Sequence, residues 1–434
     1  MYTPPQTFTP YELSNLPDKK KLVDQFVGRN LNELRTPAMI IDRGVFASNC
    51  EKMHEKALSW GTGFRAHLKT HKTTEGTRLQ LSSKTATTNA VVVSTLMEAW
   101  NVVKSGLFND GTVNDLLYGL PVTQNKIEDL SNLWDEVATS GGVVRCLIDH
   151  PYQAHCLEHF EKSRSTSRKW SVFVKVDGGQ KRAGISIDSP EFESLIKTLF
   201  SSTIISVYGF YCHAGNAYAS TSFPEASSFL SSEVDTVNNA AGLALEIVSK
   251  AGMNPPDEPL VLSVGSTPTA HAASKESREK LSSLLHGTLE LHAGNYPMLD
   301  LQQEHTSLID STRIAQRVRV TVVSYYPGRG KEGTDEALVD GGAIAFSKDT
   351  GPSGGFGRVI GTDWQLGRIS QEHGLLTRTK PVGPEDQLDL GQPVDIVGQH
   401  ACLIAAAYPW YYIVDSTVAE GKEVVDVWVP WKGW

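Results

Sequence analysis

Residues 63–76 read GFRAHLKTHKTTEG and set Arg65, His67, Lys69, His71 and Lys72 within eight positions of a 434-residue chain whose formal net charge is −9. In extended backbone, alternate side chains face opposite sides, so Arg65, His67 and Lys69 share one face while Phe64, Ala66 and Leu68 share the other. The apolar face seeks a packed layer, and the cations are left on the face opposite. Buried cations need partners. A lysine desolvated among other cations gives up its proton more readily and becomes a nucleophilic amine suited to forming a Schiff base. Lys72 lies on the opposite parity and beyond the strand end, so Lys69 is the better nucleophile. Taken alone, the segment reads equally well as a basic strand end salt-bridged to an acidic surface.

Three further segments, GFYCHAGNAY (209–218), SVGSTPT (263–269) and ELHAGNY (290–296), set glycine beside hydroxyl or amide residues. Glycine lets backbone N–H groups approach phosphate oxygens, and Ser266, Thr267, Asn295 and Tyr296 add donors. Individually these are ordinary turns. Together with an imine-forming lysine they suggest pyridoxal phosphate. A fourth segment, VDIVGQHACLIAAAY (394–408), holds His400 and Cys402 two apart. On a strand both would point the same way and reach one metal, and imidazole with thiolate suits zinc. A lone histidine beside a buried cysteine is more often core.

The elements that must position these residues alternate short β-branched runs with longer amphipathic ones. Candidate strands lie at 63–70, 90–95, 115–120, 143–149, 171–177, 206–214, 260–265 and 288–294, with helical segments between them, among them 224–252 ending on a glycine. Eight strands with helical crossovers predict a (β/α)8 barrel, whose active face lies at the strand C-termini. From about residue 312 the texture changes to strand and turn, which predicts a separate all-β domain. The expected division is an N-terminal arm (1–35), a barrel (36–311) and a β domain (312–434).

Composition narrows the function. With 40% hydrophobic and 21% charged residues the chain reads as soluble and globular. No apolar run reaches the roughly 18 residues of a membrane helix. A sequence pI near 5.8 without a basic stripe argues against nucleic acid. The first residues lack the basic and apolar regions of a secretory signal, and five scattered cysteines without a CxxC pair suit reduced thiols and a cytoplasmic location.

TPAMIID (36–42), RAHLKTHKT (65–73), VKVDGGQKRAGI (174–185) and the segments at 209–218, 263–269 and 290–296, in that order, resemble the eukaryotic D-serine dehydratases and their relatives the D-threonine aldolases. These are fold-type III pyridoxal-phosphate enzymes with an alanine-racemase-like barrel followed by a β domain. The resemblance implies that Lys69 holds the cofactor. It further implies that Gly265, Ser266, Thr267, Gly294 and Asn295 bind its phosphate, that Tyr211, His213 and Tyr218 line the site, and that Arg182 lies near the pyridine ring. His400 and Cys402 are similar to the metal pair of the dehydratases, where the aldolases carry histidine and aspartate. Gly398 and Gln399 before the histidine, and Leu403 where proline is usual, depart from the animal enzymes. The implied activity is zinc-dependent elimination of D-serine to pyruvate and ammonia by a homodimer. D-threonine aldolase or 3-hydroxyaspartate dehydratase chemistry is the nearest alternative, and a non-catalytic pyridoxal-phosphate carrier is a third.

Overall fold

The computed structural model describes residues 7–164, 168–279, 281, 284–352, 354–378, 380 and 387–434. After β1 (Ala38–Asp42), eight strands close a parallel barrel: β2 (Gly63–His67), β3 (Ala90–Val93), β4 (Asp115–Pro121), β5 (Val143–Ile148), β6 (Trp170–Lys175), β7 (Ile205–Tyr211), β8 (Val261–Val264) and β9 (Thr288–Ala293). These are the eight expected strands. Helices cross between them on the outside, the longest being Phe223–Lys250, with proline in its first turn. Its buried residues Leu230, Val234, Val237, Ala241, Ala244 and Val248 recur at three and four, which is the stripe a helix needs to lie on a sheet.

The opening cluster resolves into distinct tasks. Phe64 faces outward, its ring edge-on to His54 and Tyr296. Arg65 faces inward and is fully buried, with Nη1 2.7 Å from Asp115 Oδ1 and Nε 2.9 Å from Glu290 Oε1. Arg145 reaches Asp115 from β5 at 2.8 Å. A buried guanidinium is tolerable only with such partners, and here two carboxylates from strands three and eight of the barrel supply them. Toward the strand C-termini an apolar plug of Val92, Leu117, Leu147, Phe173 and Tyr211 follows. His71 is buried among Gln80 and Thr73 as part of a helix cap, and Lys72 pairs with buried Glu98 at 2.9 Å. The turn that carries Lys69 is held from outside by the C-terminal tail, where the Trp431 amide donates to the Lys72 carbonyl at 2.7 Å.

The remaining strands, β10 (Gln316–Tyr326), β11 (Glu336–Val339), β12 (Gly357–Val359), β13 (Gln365–Ser370), β14 (His373–Thr377), β15 (Pro393–Gly398), β16 (Tyr411–Val414) and β17 (Asp426–Trp428), form a nine-stranded sheet ordered β11-β14-β13-β12-β15-β10-β1-β16-β17. Thus β1, expected on the barrel side of the boundary at residue 36, lies inside this sheet, antiparallel to β10 and parallel to β16. Its side chains Ala38–Asp42 are all buried, because both flanks are paired and both faces covered. The N-terminal arm adds a helix, Lys19–Phe26, against β17 and a strap whose Thr9 amide donates to Asp129 at 2.8 Å.

Candidate active site

Lys69 lies two residues past the end of β2, in a turn, on the side chosen by its parity with Arg65 and His67. Among the described residues its amine makes no ion pair. Gly294, just beyond β9, packs against it: a Cβ there would stand 3.4 Å from Lys69 Cε and 3.1 Å from His67 Cβ. Gly265, just beyond β8, has φ +143°, and a Cβ would overlap the His292 carbonyl oxygen at 2.0 Å. Both glycines are therefore demanded by backbone approach.

Facing the lysine is a wall of flat rings. Tyr211 stacks on His292 with centroids 4.1 Å apart, and His213 lies 6.1 Å beyond. His292 Nδ1 is 3.0 Å from the Ser263 hydroxyl, and His213 Nδ1 is 2.8 Å from the Gly265 carbonyl, so it must donate there. Burial, reinforced by Lys69, pushes His213 down to about 3 and His67 well below the usual imidazole range. His292 is lowered by burial and by its histidine neighbours. All three imidazoles are thus pushed toward the neutral form, and the basic side chains around them are Lys69, Lys175 and Arg182. Arg182 is exposed at the rim yet acts on His213 and Tyr211. Lys175 is buried with its amine 5.0 Å from the centre of the Tyr211 ring.

Thr267 and Asn295 are buried side by side, the Asn295 amide donating to the Thr267 hydroxyl at 3.1 Å. Tyr218, in the short turn Gly215–Ala219, hydrogen-bonds Thr267 and lies near Cys402 and Asp300; burial raises its phenol. Ser266 is engaged in a capping box with Thr269, which occupies its hydroxyl. Tyr296 does not join this group. Three residues past the end of β9, where the chain has left the strand and its alternation no longer applies, it is fully buried against Phe64, beside Gln80 and Cys50, in the layer between barrel and helices.

His400 and Cys402 are not on a strand. β15 ends at Gly398, where a Cβ would meet Ile404 Cδ1 at 2.3 Å, and the alanine-rich Ala401–Ala407 turns into a helix with His400 as its N-cap. Alanine favours helix over strand, and the glycine allows the sharp entry. The two side chains nevertheless hydrogen-bond each other. His400 Nδ1 is held by Asp349 Oδ2 at 2.7 Å. Burial opposes charge on both, but the mutual contact raises His400 to about 9 and lowers Cys402 below the usual thiol range, with Lys69 and Thr70 adding to the latter. Cys402 Sγ is 3.1 Å from the hydroxyl of Thr70, the neighbour of Lys69 in the chain. The His/Cys pair and the lysine thus meet within one subunit.

Four carboxylates of the site had no motif to announce them: Glu290 and Asp115 beneath the pocket, Asp300 between Asn295 and residue 401, and Glu233 on the long helix. Glu290 was the most legible, since it shares parity with His292 in a strand whose other face is apolar. Glu233 is buried and accepts the amides of Ala214 at 2.5 Å and Gly265 at 3.3 Å, joining the loops after β7 and β8.

A closed parallel barrel with a lysine and a ring wall at its strand C-termini, followed by an antiparallel sheet, defines the alanine-racemase-like class of fold. Residues 41–279 match the family described as "Alanine racemase, N-terminal domain" and residues 315–414 the one described as "Putative serine dehydratase domain". The chain is 43% identical to D-serine dehydratase of Schizosaccharomyces pombe, covering 96% of both chains. It is 36% identical to D-serine dehydratase of Saccharomyces cerevisiae, covering 95% of this chain and 99% of that one. D-threo-3-hydroxyaspartate dehydratase from Delftia sp. HT23 superposes with a TM-score of 0.75 at 25% identity, over 93% of this chain and 100% of that one. A solved cysteine-to-alanine mutant of D-threo-3-hydroxyaspartate dehydratase is described as in the metal-free form. The chain belongs to the D-serine dehydratase family.

Proposed function

We propose that the protein eliminates water from D-serine, yielding pyruvate and ammonia, with pyridoxal phosphate and zinc as cofactors. The observation that carries this reading is the 3.1 Å contact between Cys402 and Thr70, which brings a metal-type donor pair beside the lysine turn. Elimination needs a base at Cα and an acid at the adjacent hydroxyl, and the two must act on neighbouring atoms.

The residues fit the cofactor. The Lys69 side chain lies against Gly294, Gly265 makes a close backbone approach to His292, and the adjoining pocket holds buried polar atoms without partners among the described residues, His292 Nε2 and Asn295 Oδ1. Gly265, Thr267, Gly294 and Asn295 would hold its phosphate, Tyr211, His213 and Tyr218 would line it, and Arg182 would reach it from the rim. Bound pyridoxal phosphate supplies a sink for the electron pair left at Cα when the proton departs. Lys69 Nζ takes that proton. The neutral ring wall excludes water without adding a competing charge.

His400 and Cys402 fit zinc by donor type, and Asp349 on His400 Nδ1 leaves Nε2 for the ion, as carboxylate–histidine pairs do at metal sites. With His400 and Cys402 as its two protein ligands, the ion would keep positions for water and substrate. Bound zinc supplies a Lewis acid for the departing hydroxyl. The five free thiols support a reducing, cytoplasmic setting, and the expected assembly is a homodimer; among the described residues no helix is long and apolar enough to cross a membrane.

The test measures pyruvate against glycine plus aldehyde from D-serine, D-threonine and D-threo-3-hydroxyaspartate, before and after chelation, with metal analysis and circular dichroism. The expected result is pyruvate from D-serine, abolished by chelation with the fold intact. Glycine and aldehyde from D-threonine without pyruvate from D-serine, or full activity in zinc-free protein, overturns the reading.

A further inference from the structure

Between the two candidate sites lies Asp300, fully buried and engaged on three sides. Its Oδ2 accepts from Asn295 Nδ2 at 2.6 Å and from the Ala401 amide at 2.8 Å, while Oδ1 accepts from the Gln303 amide at 3.0 Å. Asn295 belongs to the loop after β9 that borders the cofactor pocket. Ala401 is the residue between His400 and Cys402. One carboxylate oxygen therefore grips both loops at once. A second link runs in parallel: the Thr70 hydroxyl donates to the Gly294 carbonyl at 3.1 Å and touches Cys402 Sγ.

We infer that Asp300 is a positioning residue that couples the two sites, so that pyridoxal phosphate and zinc each tighten the binding of the other. This rests on the cofactor and metal assignments proposed above. The physical reason is that charge-assisted hydrogen bonds in a water-free interior are short, directional and costly to leave unmade. Asn295 cannot shift toward a bound anion, nor the start of the Ala401–Ala407 helix toward a bound metal, without moving the shared oxygen. Whichever ligand binds first orders that network, and the second then pays less to bind. The effect is reciprocal by linkage.

Zinc affinity is measured by chelator competition on the full-length protein stripped of cofactor and again saturated with pyridoxal phosphate. Pyridoxal-phosphate affinity is measured by absorbance titration with and without zinc. In the unaltered protein each ligand is expected to tighten the other by about fivefold or more. In Asp300→Asn, whose amide cannot accept from both loops through one charged oxygen, both ratios fall toward one. Asn295→Ala cuts the other end of the link and leaves the Ala401 contact in place, so both ratios are again expected to fall toward one; because Asn295 Nδ2 also lies 3.9 Å from Cys402 Sγ, its separate affinities are measured beside the ratios, and it serves where Asp300→Asn fails to fold. A merely structural role would lower both affinities and leave the ratios unchanged, which overturns the inference. Ratios of one in the unaltered protein overturn it as well. An unaltered protein that binds only one of the two ligands, or neither, refutes instead the assignment on which the inference stands.

Discussion

Glu233→Gln isolates a buried titration. The carboxyl lies beneath the loops after β7 and β8, and burial raises it from the ordinary 4.5 to about 7 against the lowering effect of the Ala214 and Gly265 amides and of nearby Lys175. Below pH 4.5 the group is protonated in both folded and unfolded chains, and its contribution to stability is fully present. As the pH climbs from 4.5 to 7 the unfolded chain releases the proton while the folded one keeps it, so stability falls by up to 1.36 kcal/mol per pH unit. The loss is complete once the folded group itself ionises, near 7, and amounts to roughly 3 kcal/mol. Glutamine retains an oxygen to accept the two amides and does not titrate. Denaturant unfolding of both proteins, stripped of ligands, from pH 5 to pH 8 should therefore show the variant gaining about 2.5 kcal/mol on the parent across that range. A constant offset between the two curves would refute the argument, because it would mean that Glu233 is ionised in the folded protein throughout.

Arg65→Met should cost roughly 3–5 kcal/mol in denaturant unfolding, since it strands Glu290 and leaves Asp115 with Arg145 alone; adding Glu290→Met should recover part of the loss, and a cost below about 1 kcal/mol contradicts the pairing. Lys69→Ala should lose both pyruvate formation and the visible absorption of added pyridoxal phosphate, with an unchanged circular-dichroism spectrum, whereas Lys72→Ala, which breaks only the pair with Glu98, should keep the absorption. L-serine should be turned over at least about a hundredfold more slowly than D-serine, because a single lysine approaches the cofactor from one face and general-base catalysis is worth that much; comparable pyruvate rates from both enantiomers would require a second base.

The eight barrel strands and the inward parity of Arg65, His67 and Lys69 were legible in the sequence because they rest on local rules. Alternation sets which way a strand residue faces, and the switch between short β-branched runs and longer amphipathic ones marks each crossover. The glycine-rich strand ends were legible for the same reason, since glycine marks places where backbone must come close. The helical start that carries His400 and Cys402 was misread as strand because the apolar run 394–408 has no periodicity of its own, and Gly398 allows the turn only through the space its missing Cβ leaves for Ile404.

What depended on contacts far apart in the chain was left to the tertiary structure. β1 is an ordinary apolar run by composition, and only its pairing with β10 and β16 puts it in the second sheet. Tyr296 sits one residue from Asn295, yet the outward twist after β9 sends it into the helical layer. Asp115, Glu233, Glu290 and Asp300 are single acidic residues without a motif. Each is identified by a cation or amide it meets farther along the chain: Asp115 and Arg145 are separated by 30 residues, Glu233 and Gly265 by 32, Asp300 and Ala401 by 101, and Arg65 and Glu290 by 225. The sequence by itself determined which side chains could do chemistry and which way they face. The tertiary structure decided which of them meet, because a buried charge chooses its partner by distance in space and the chain has no local term for that.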